Sequence, residues 1–157
     1  MSGMNWEEIE KRLKEIKIKD IMCTAVISTT ENSLLNDVAD SMLQKKISGM
    51  PVLDENGHIK GIITITDLFV AMGVLKYGVA LEKGKTLKEF PFVGTIMVKD
   101  VLTISQDIDL WQAIDMMIHR GIHTLPVVNE GKLVGVVGRR DVIKHFYSVV
   151  AESFARS

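Results

Sequence analysis

The chain is expected to adopt an α/β (α+β) fold made of two tandem repeats, each running strand, helix, strand, strand, helix. Three observations predict this. One ordered pattern occurs twice: Ile21-Met22, Val26-Ile27-Ser28, Pro51-Val52-Leu53 and Gly61-Ile62-Ile63-Thr64-Ile65-Thr66-Asp67 return as Ile96-Met97, Val101-Leu102-Thr103, Pro126-Val127-Val128 and Gly135-Val136-Val137-Gly138-Arg139-Arg140-Asp141. The offset is 75 at the first pair (21 to 96) and 74 at the last (67 to 141), with one residue lost at a turn. Between the first and third blocks of each copy, apolar residues recur at the helical spacing, and paired β-branched runs flank a glycine turn. Tandem copies of one unit imply two similar half-structures facing each other, with any cleft where they meet.

The elements follow in order. Residues 1–17 should form a helix capped by Asn5, with Glu8 three residues on and Trp6, Ile9, Leu13 and Ile16 on one face. It is expected to pack on the domain edge. The first repeat, 18–75, opens with a strand at Val26–Thr29. A helix capped by Asn32 follows, carrying Leu35, Val38, Ala39, Met42 and Leu43 as a core stripe. The second repeat, 93–150, has Asp107 as the cap and Leu110, Ala113, Ile114, Met117 and Ile118 as the stripe. Trp111 and Met116 lie off it and would fit a subunit contact. Each repeat then makes a hairpin, around Glu55-Asn56-Gly57 or Asn129-Glu130-Gly131, whose glycines supply positive φ. A proline opens each first hairpin strand. Final helices are expected near Asp67–Gly73 and Asp141–Val150. Residues 76–92 connect the repeats, with one short helix or strand, and 151–157 form a tail.

Composition narrows the function. At 157 residues, 46% of them hydrophobic, the chain can form one domain or two small ones, and each copy alone is marginal for enclosing a core. A net charge of −1 from 19 basic and 20 acidic residues leaves no footprint for nucleic acid as a main partner. Cys23, the single cysteine, cannot form an internal disulfide and reads as a small buried filler. No signal-peptide core or membrane-spanning apolar run is present, so a soluble, cytoplasmic protein is expected. His58, His119 and His145 show no metal-ligand spacing with one another; His119 and His123 are four apart, but Gly121 is expected to end the helix between them, and no protein-only metal site is assigned. No nucleophile–base set or phosphate loop of the Walker type occurs, so the chain is not read as an enzyme.

The paired Ile-Met, Gly-Met-Pro-Val or Thr-Leu-Pro-Val, and Gly-x-x-Thr-x-x-Asp blocks resemble a tandem pair of cystathionine β-synthase (CBS) domains, the regulatory Bateman module. The resemblance runs from about Ile18 to Tyr147. It implies halves packed with pseudo-twofold symmetry, and a homodimer formed through the outer helices. It also implies clefts for adenosine-containing ligands (AMP, ADP, ATP or S-adenosylmethionine), whose occupancy is passed to a regulated protein. Magnesium could arrive with ATP.

What the resemblance implies for residues is specific. One cleft joins Thr64, Thr66 and Asp67 with Thr95, Asp100 and Ile122. The other joins Gly138, Arg140, Asp141 and His123 with Asp20, Ala25 and Ile47. Adenine would be read by backbone groups around Ile47-Ser48-Gly49 or Ile122-His123-Thr124. A carboxylate at a helix start can accept from both ribose hydroxyls, and the helix N-terminus favours phosphate nearby. Taken singly, Asp67 and Asp141 read as helix caps; the duplication adds the ligand reading. Gly138 lacks the hydroxyl that Thr64 supplies, while Arg140, with His123, could clamp phosphate or simply be solvated. Asp20 stands where Thr95 stands in the other copy and would repel phosphate. A ligand sensor with unequal clefts is thus one reading; a constitutive dimerisation or scaffolding module with vestigial clefts is the alternative.

Overall fold

The computed structural model describes residues 5–77 and 92–156. Its elements are α1 (Trp6–Glu15), α2 (Ile18–Ile21), α3 (Leu35–Lys45), β1 (Gly49–Leu53), β2 (Ile59–Thr64), α4 (Ile65–Tyr77), α5 (Val93–Ile96), β3 (Ile104–Ser105), α6 (Leu110–Arg120), β4 (Thr124–Asn129), β5 (Lys132–Gly138) and α7 (Arg139–Ala155). The mixed helix and strand content with small sheets is an α+β fold. The connecting segment predicted for 76–92 falls mostly outside the described residues, apart from the end of α4 and Phe92.

The chain divides into two compact units that do not coincide with the repeats. One comprises residues 1–26 and 102–157; the other is the continuous stretch 27–101. Each unit therefore holds the hairpin and helices of one repeat together with the lead-in of the other. In the continuous unit, β1 pairs antiparallel with β2, Pro51 opposite Ile62. Thr29 bridges in parallel to Val52, and Val98 bridges antiparallel to Ile62 on the far edge. In the discontinuous unit, β3 pairs in parallel with β4, β4 antiparallel with β5, and Cys23 bridges antiparallel to Val136. The two arrangements are copies of one another.

Each unit has its own core. Val38, Met42, Met50, Val52, Ile63, Val93 and Met97 cluster in the continuous unit. Ile9, Leu13, Ile18, Leu110, Leu125, Val127 and Val137 do so in the other. Helix α1 forms as expected: Asn5 Oδ1 accepts from the Glu7 and Glu8 amides at 3.1 and 3.4 Å. Ile9 and Leu13 are fully buried against the second repeat, whereas Trp6 is exposed.

Several local expectations need correction. Asn32 does not cap α3; Leu34 precedes it without a side-chain cap, and Ser33 bonds Thr30 instead. Asp109 caps α6, accepting from the Gln112 amide at 2.8 Å, so the helix starts two residues beyond the Asp107 expectation. The fifth stripe positions, Leu43 and Ile118, are about 70% exposed (69% and 72%) rather than core. Trp111 lies under Lys14, whose Nζ is 5.9 Å from the ring centroid, yet stays exposed, whereas Met116 packs on the core. Cys23 is exposed, not a buried filler. Strand pairing at 26–29 reduces to the single bridge at Thr29, and its counterpart is the two-residue β3. Helix α7 takes in residues 151–155 of the expected tail.

Pro51 lies inside β1 rather than opening it. Its carbonyl accepts from Thr29 N at 2.9 Å, so its imide nitrogen also faces away from β2 and removes no bond from the hairpin. The turns behave as their glycines require: φ is +81° at Gly57, and +49° and +79° at Glu130 and Gly131.

Candidate functional site

Both aspartates occupy the third position of a helix and reach back to the residue before it. Asp67 Oδ2 accepts from the Thr64 amide at 2.8 Å and from the Thr64 hydroxyl at 2.9 Å. Thr64 Oγ1 in turn accepts from the Asp67 amide at 3.3 Å. This is a reciprocal capping arrangement. Asp141 Oδ2 accepts from the Gly138 amide at 2.8 Å, and Gly138 has no hydroxyl to complete the exchange. Each carboxylate is half-buried and uses one oxygen for these bonds, leaving the other as an acceptor.

The backbone fixes these helix starts. Ile65 N donates to Ser48 O at 2.9 Å, and Arg139 N to His123 O at 3.1 Å. Ser48 and His123 are thus tied by main-chain bonds to the first residues of the helices that carry Asp67 and Asp141. The next helical position is exposed in both copies: Thr66 in one, Arg140 in the other. Arg140 makes no ion pair among the described residues.

The lead-ins bring a second set of residues to the same edges. Val98 and Ile62 exchange two backbone bonds of 2.9 Å, as do Cys23 and Val136. Helix α5, which carries Thr95, packs against α4, and α2, which carries Asp20, packs against β5. The structure therefore groups Thr64, Thr66, Asp67, Thr95, Asp100, Ser48 and Ile47 in the continuous unit. Asp20, Ala25, Ile122, His123, Gly138, Arg140 and Asp141 belong to the discontinuous one. Ile122 and Ile47 belong to the opposite units from the aspartates with which the sequence reading paired them. Ile122 and His123 line an apolar groove on α6 and α7 with Ile118, Ile143 and Tyr147.

Two glycines matter here that the sequence reading treated only as parts of the repeat. A Cβ on Gly61 would stand 2.7 Å from Met97 Sδ and 2.8 Å from Val98 O. One on Gly135 would stand 2.6 Å from Met22 Sδ and 3.1 Å from Cys23 O. Only glycine lets the lead-in lie this close to the strand edge. The signal was visible as a glycine three residues before Thr64 and Gly138, inside an otherwise β-branched run.

The family model for the CBS domain matches residues 18–73 and 93–148. The chain therefore belongs to the CBS domain family, as a tandem pair. It is 31% identical over 147 residues to the methylated protein MJ0556 of Methanocaldococcus jannaschii, covering 87% of this chain and 77% of that protein. It is 30% identical over 135 residues to the inosine-5'-monophosphate dehydrogenase of the same organism, covering 85% of this chain but only 23% of the enzyme. Among solved structures it resembles the CBS domain pair of protein MJ0100 in complex with 5'-methylthioadenosine and S-adenosyl-L-methionine. That match has a TM-score of 0.67 at 27% identity, covering 83% of this chain and 98% of that one. Among the described residues, no helix is long and apolar enough to cross a membrane.

Proposed function

We propose that this chain is a regulatory module that binds adenosine-containing ligands at the two aspartate-bearing helix starts and carries out no reaction itself. The observation that carries the reading is the repeated geometry: a half-buried carboxylate at the third position of a helix, with a lead-in from the other repeat along the adjacent strand edge. The ligands of the MJ0100 pair support the same class. Asp67 and Asp141 would take the ribose hydroxyls through the carboxylate oxygen not used in capping. Thr64, Thr66 and Thr95 offer hydroxyls at the first site. Arg140 offers a guanidinium for phosphate at the second, opposed by Asp20. Magnesium would come only with ATP. Leu43 and Ile118, exposed at equivalent positions, are surfaces that a homodimer would cover, and the dimer would present the bound state to a regulated protein.

Thermal unfolding with AMP, ATP, S-adenosylmethionine or methylthioadenosine tests this. At a ligand concentration a hundred times the dissociation constant, binding adds about 2.7 kcal/mol. For a chain of this length that is a rise of roughly 5–10 °C. No shift with any of the four would leave the constitutive scaffold, which the missing hydroxyl at Gly138 favours. Calorimetry on Asp67→Ala and Asp141→Ala assigns each binding event to its site.

A further inference from the structure

Among the described residues helix α1 has no counterpart in the continuous unit, and its contacts run toward one of the two sites. Ile9 and Leu13 are fully buried in the core of the discontinuous unit. Arg12 donates through Nη1 to Val149 O of α7 at 3.3 Å and pairs through Nη2 with Glu152 of the same helix. The opposite end of α7 carries Arg140 and Asp141. The chain leaving α1 is then tied down in sequence: Leu110 N donates to Ile16 O at 2.8 Å, Ile18 N to Ile108 O at 2.9 Å and Lys19 N to Gln106 O at 2.9 Å. Next come Asp20 and the bridge from Cys23 to Val136. Helix α1 thus holds α7 through Arg12 and runs directly into the lead-in, which residues 16–19 tie to residues 106–110.

We propose that α1 is a clamp, with Arg12 as its positioning residue, whose docking on α6 and α7 is thermodynamically coupled to ligand binding at the Asp141 site. This rests on the adenosine-ligand reading above. The coupling is reciprocal: ligand bound against Asp20 and Asp141 favours the docked helix, and anything that lifts α1 weakens the ligand by the same factor. A partner that competes for the α1 face of α6 and α7 would therefore release ligand from this site and leave the Asp67 site unchanged.

The test uses the full chain carrying Asp67→Ala, so that only the Asp141 site reports. AMP affinity is measured by calorimetry, and amide hydrogen exchange is followed in residues 7–14 with and without AMP. Arg12→Ala should weaken AMP about 5-fold or more, a coupling of ordinary size, and Arg12→Lys should restore part of it. AMP should slow exchange in α1. In an Asp141→Ala background, Arg12→Ala should change AMP affinity less than about 2-fold, which separates positioning from general loss of stability. Deleting residues 1–15 should give the larger effect if the protein folds; Arg12→Ala stands as the test if it does not. Unchanged AMP affinity in Arg12→Ala, with unchanged α1 exchange, overturns the clamp alone. An Asp67→Ala protein that binds none of the four adenosine ligands overturns both the clamp and the ligand reading at this site.

Discussion

Gly138 is where one copy lacks what the other has, and restoring it should be favourable. The backbone there is extended, with φ −100° and ψ 167°, which a β-branched residue adopts readily. A Cβ would meet only Asp141 Oδ2, at 3.6 Å, an ordinary contact. Gly138→Thr should therefore reproduce the Thr64–Asp67 exchange, its hydroxyl donating to the carboxylate and accepting from the Asp141 amide. As a helix cap, Thr exceeds Gly by only about a few tenths of a kcal/mol. Removing a glycine from the unfolded chain adds roughly 0.4–1 kcal/mol. The sum is about 1 kcal/mol of stabilisation, or a rise of roughly 2–4 °C in melting temperature by scanning calorimetry. Thr64→Gly should lower stability by a comparable amount. On the ligand reading, the new hydroxyl should also tighten binding at the Asp141 site. An unchanged or lower melting temperature for Gly138→Thr, with native circular dichroism, would refute the argument that the two helix starts are equivalent except for this hydroxyl.

Other substitutions probe the same geometry. Lys46 ends α3 at φ +54°, where Gly121 ends α6 at +61°; Lys46→Gly should stabilise by about 0.5–1 kcal/mol in denaturant unfolding, because the left-handed conformation is strained only for the lysine. Gly61→Ala should destabilise by about 1–3 kcal/mol and weaken ligand at the Asp67 site, because Val98 O is a backbone atom that must move. Asp54 accepts from the His58 and Asn56 amides at 2.9 and 2.8 Å, and these bonds hold its carboxyl below the ordinary value of 3.8. Its folded pKa is depressed, so its contribution to the turn is present above pH 3.8 and is lost as pH falls through the lower folded value. The amide shifts of Asn56 and His58 should titrate in that acid range in wild type and stay flat in Asp54→Asn.

The repeat was legible because two periods, 3.6 and 2, survive twice in register with turns between them. The aspartates were legible for the same reason: their spacing from Gly61 and Gly135 is preserved. The boundaries of α3 and α6 were not, because several polar residues precede each helix, and where the helix starts is decided by where the loop bonds to the lead-in. Ser33 O accepts from Val93 N and Glu31 O from Gly94 N, long-range contacts that no local window contains. The exposure of Leu43 and Ile118 was equally hidden, since a helical stripe gives direction but not the width of what covers it. Helix α1 was legible as an element that packs on a domain, but the helices it meets, α6 and α7, were not, because amphipathicity does not name the face it meets.

The exchange of lead-ins makes a sharper claim, that the repeat is not the folding unit. A fragment of residues 18–77, the first repeat carried to the end of α4, keeps Val38, Met42, Met50, Val52 and Ile63 but loses Val93 and Met97 from their core. Val93 is fully buried and Met97 nearly so. Each such side chain contributes about 1.5–3 kcal/mol on burial, and the two together are comparable with the whole margin of a domain this small. Residues 27–101 retain both, together with the backbone pair between Val98 and Ile62, and form a continuous stretch. The discontinuous unit, by contrast, must join residues 1–26 to 102–157 across a 75-residue loop, 27–101. Closing so long a flexible loop costs about 4 kcal/mol from its length-dependent part, and prior folding of 27–101 into a compact body lowers that cost. The fragment 27–101 should accordingly show cooperative thermal unfolding and dispersed amide signals, and the fragment 18–77 neither. A folded 18–77 beside an unfolded 27–101 would overturn the assignment of each lead-in to the opposite repeat, and with it the grouping of Thr95 in one unit with Asp67.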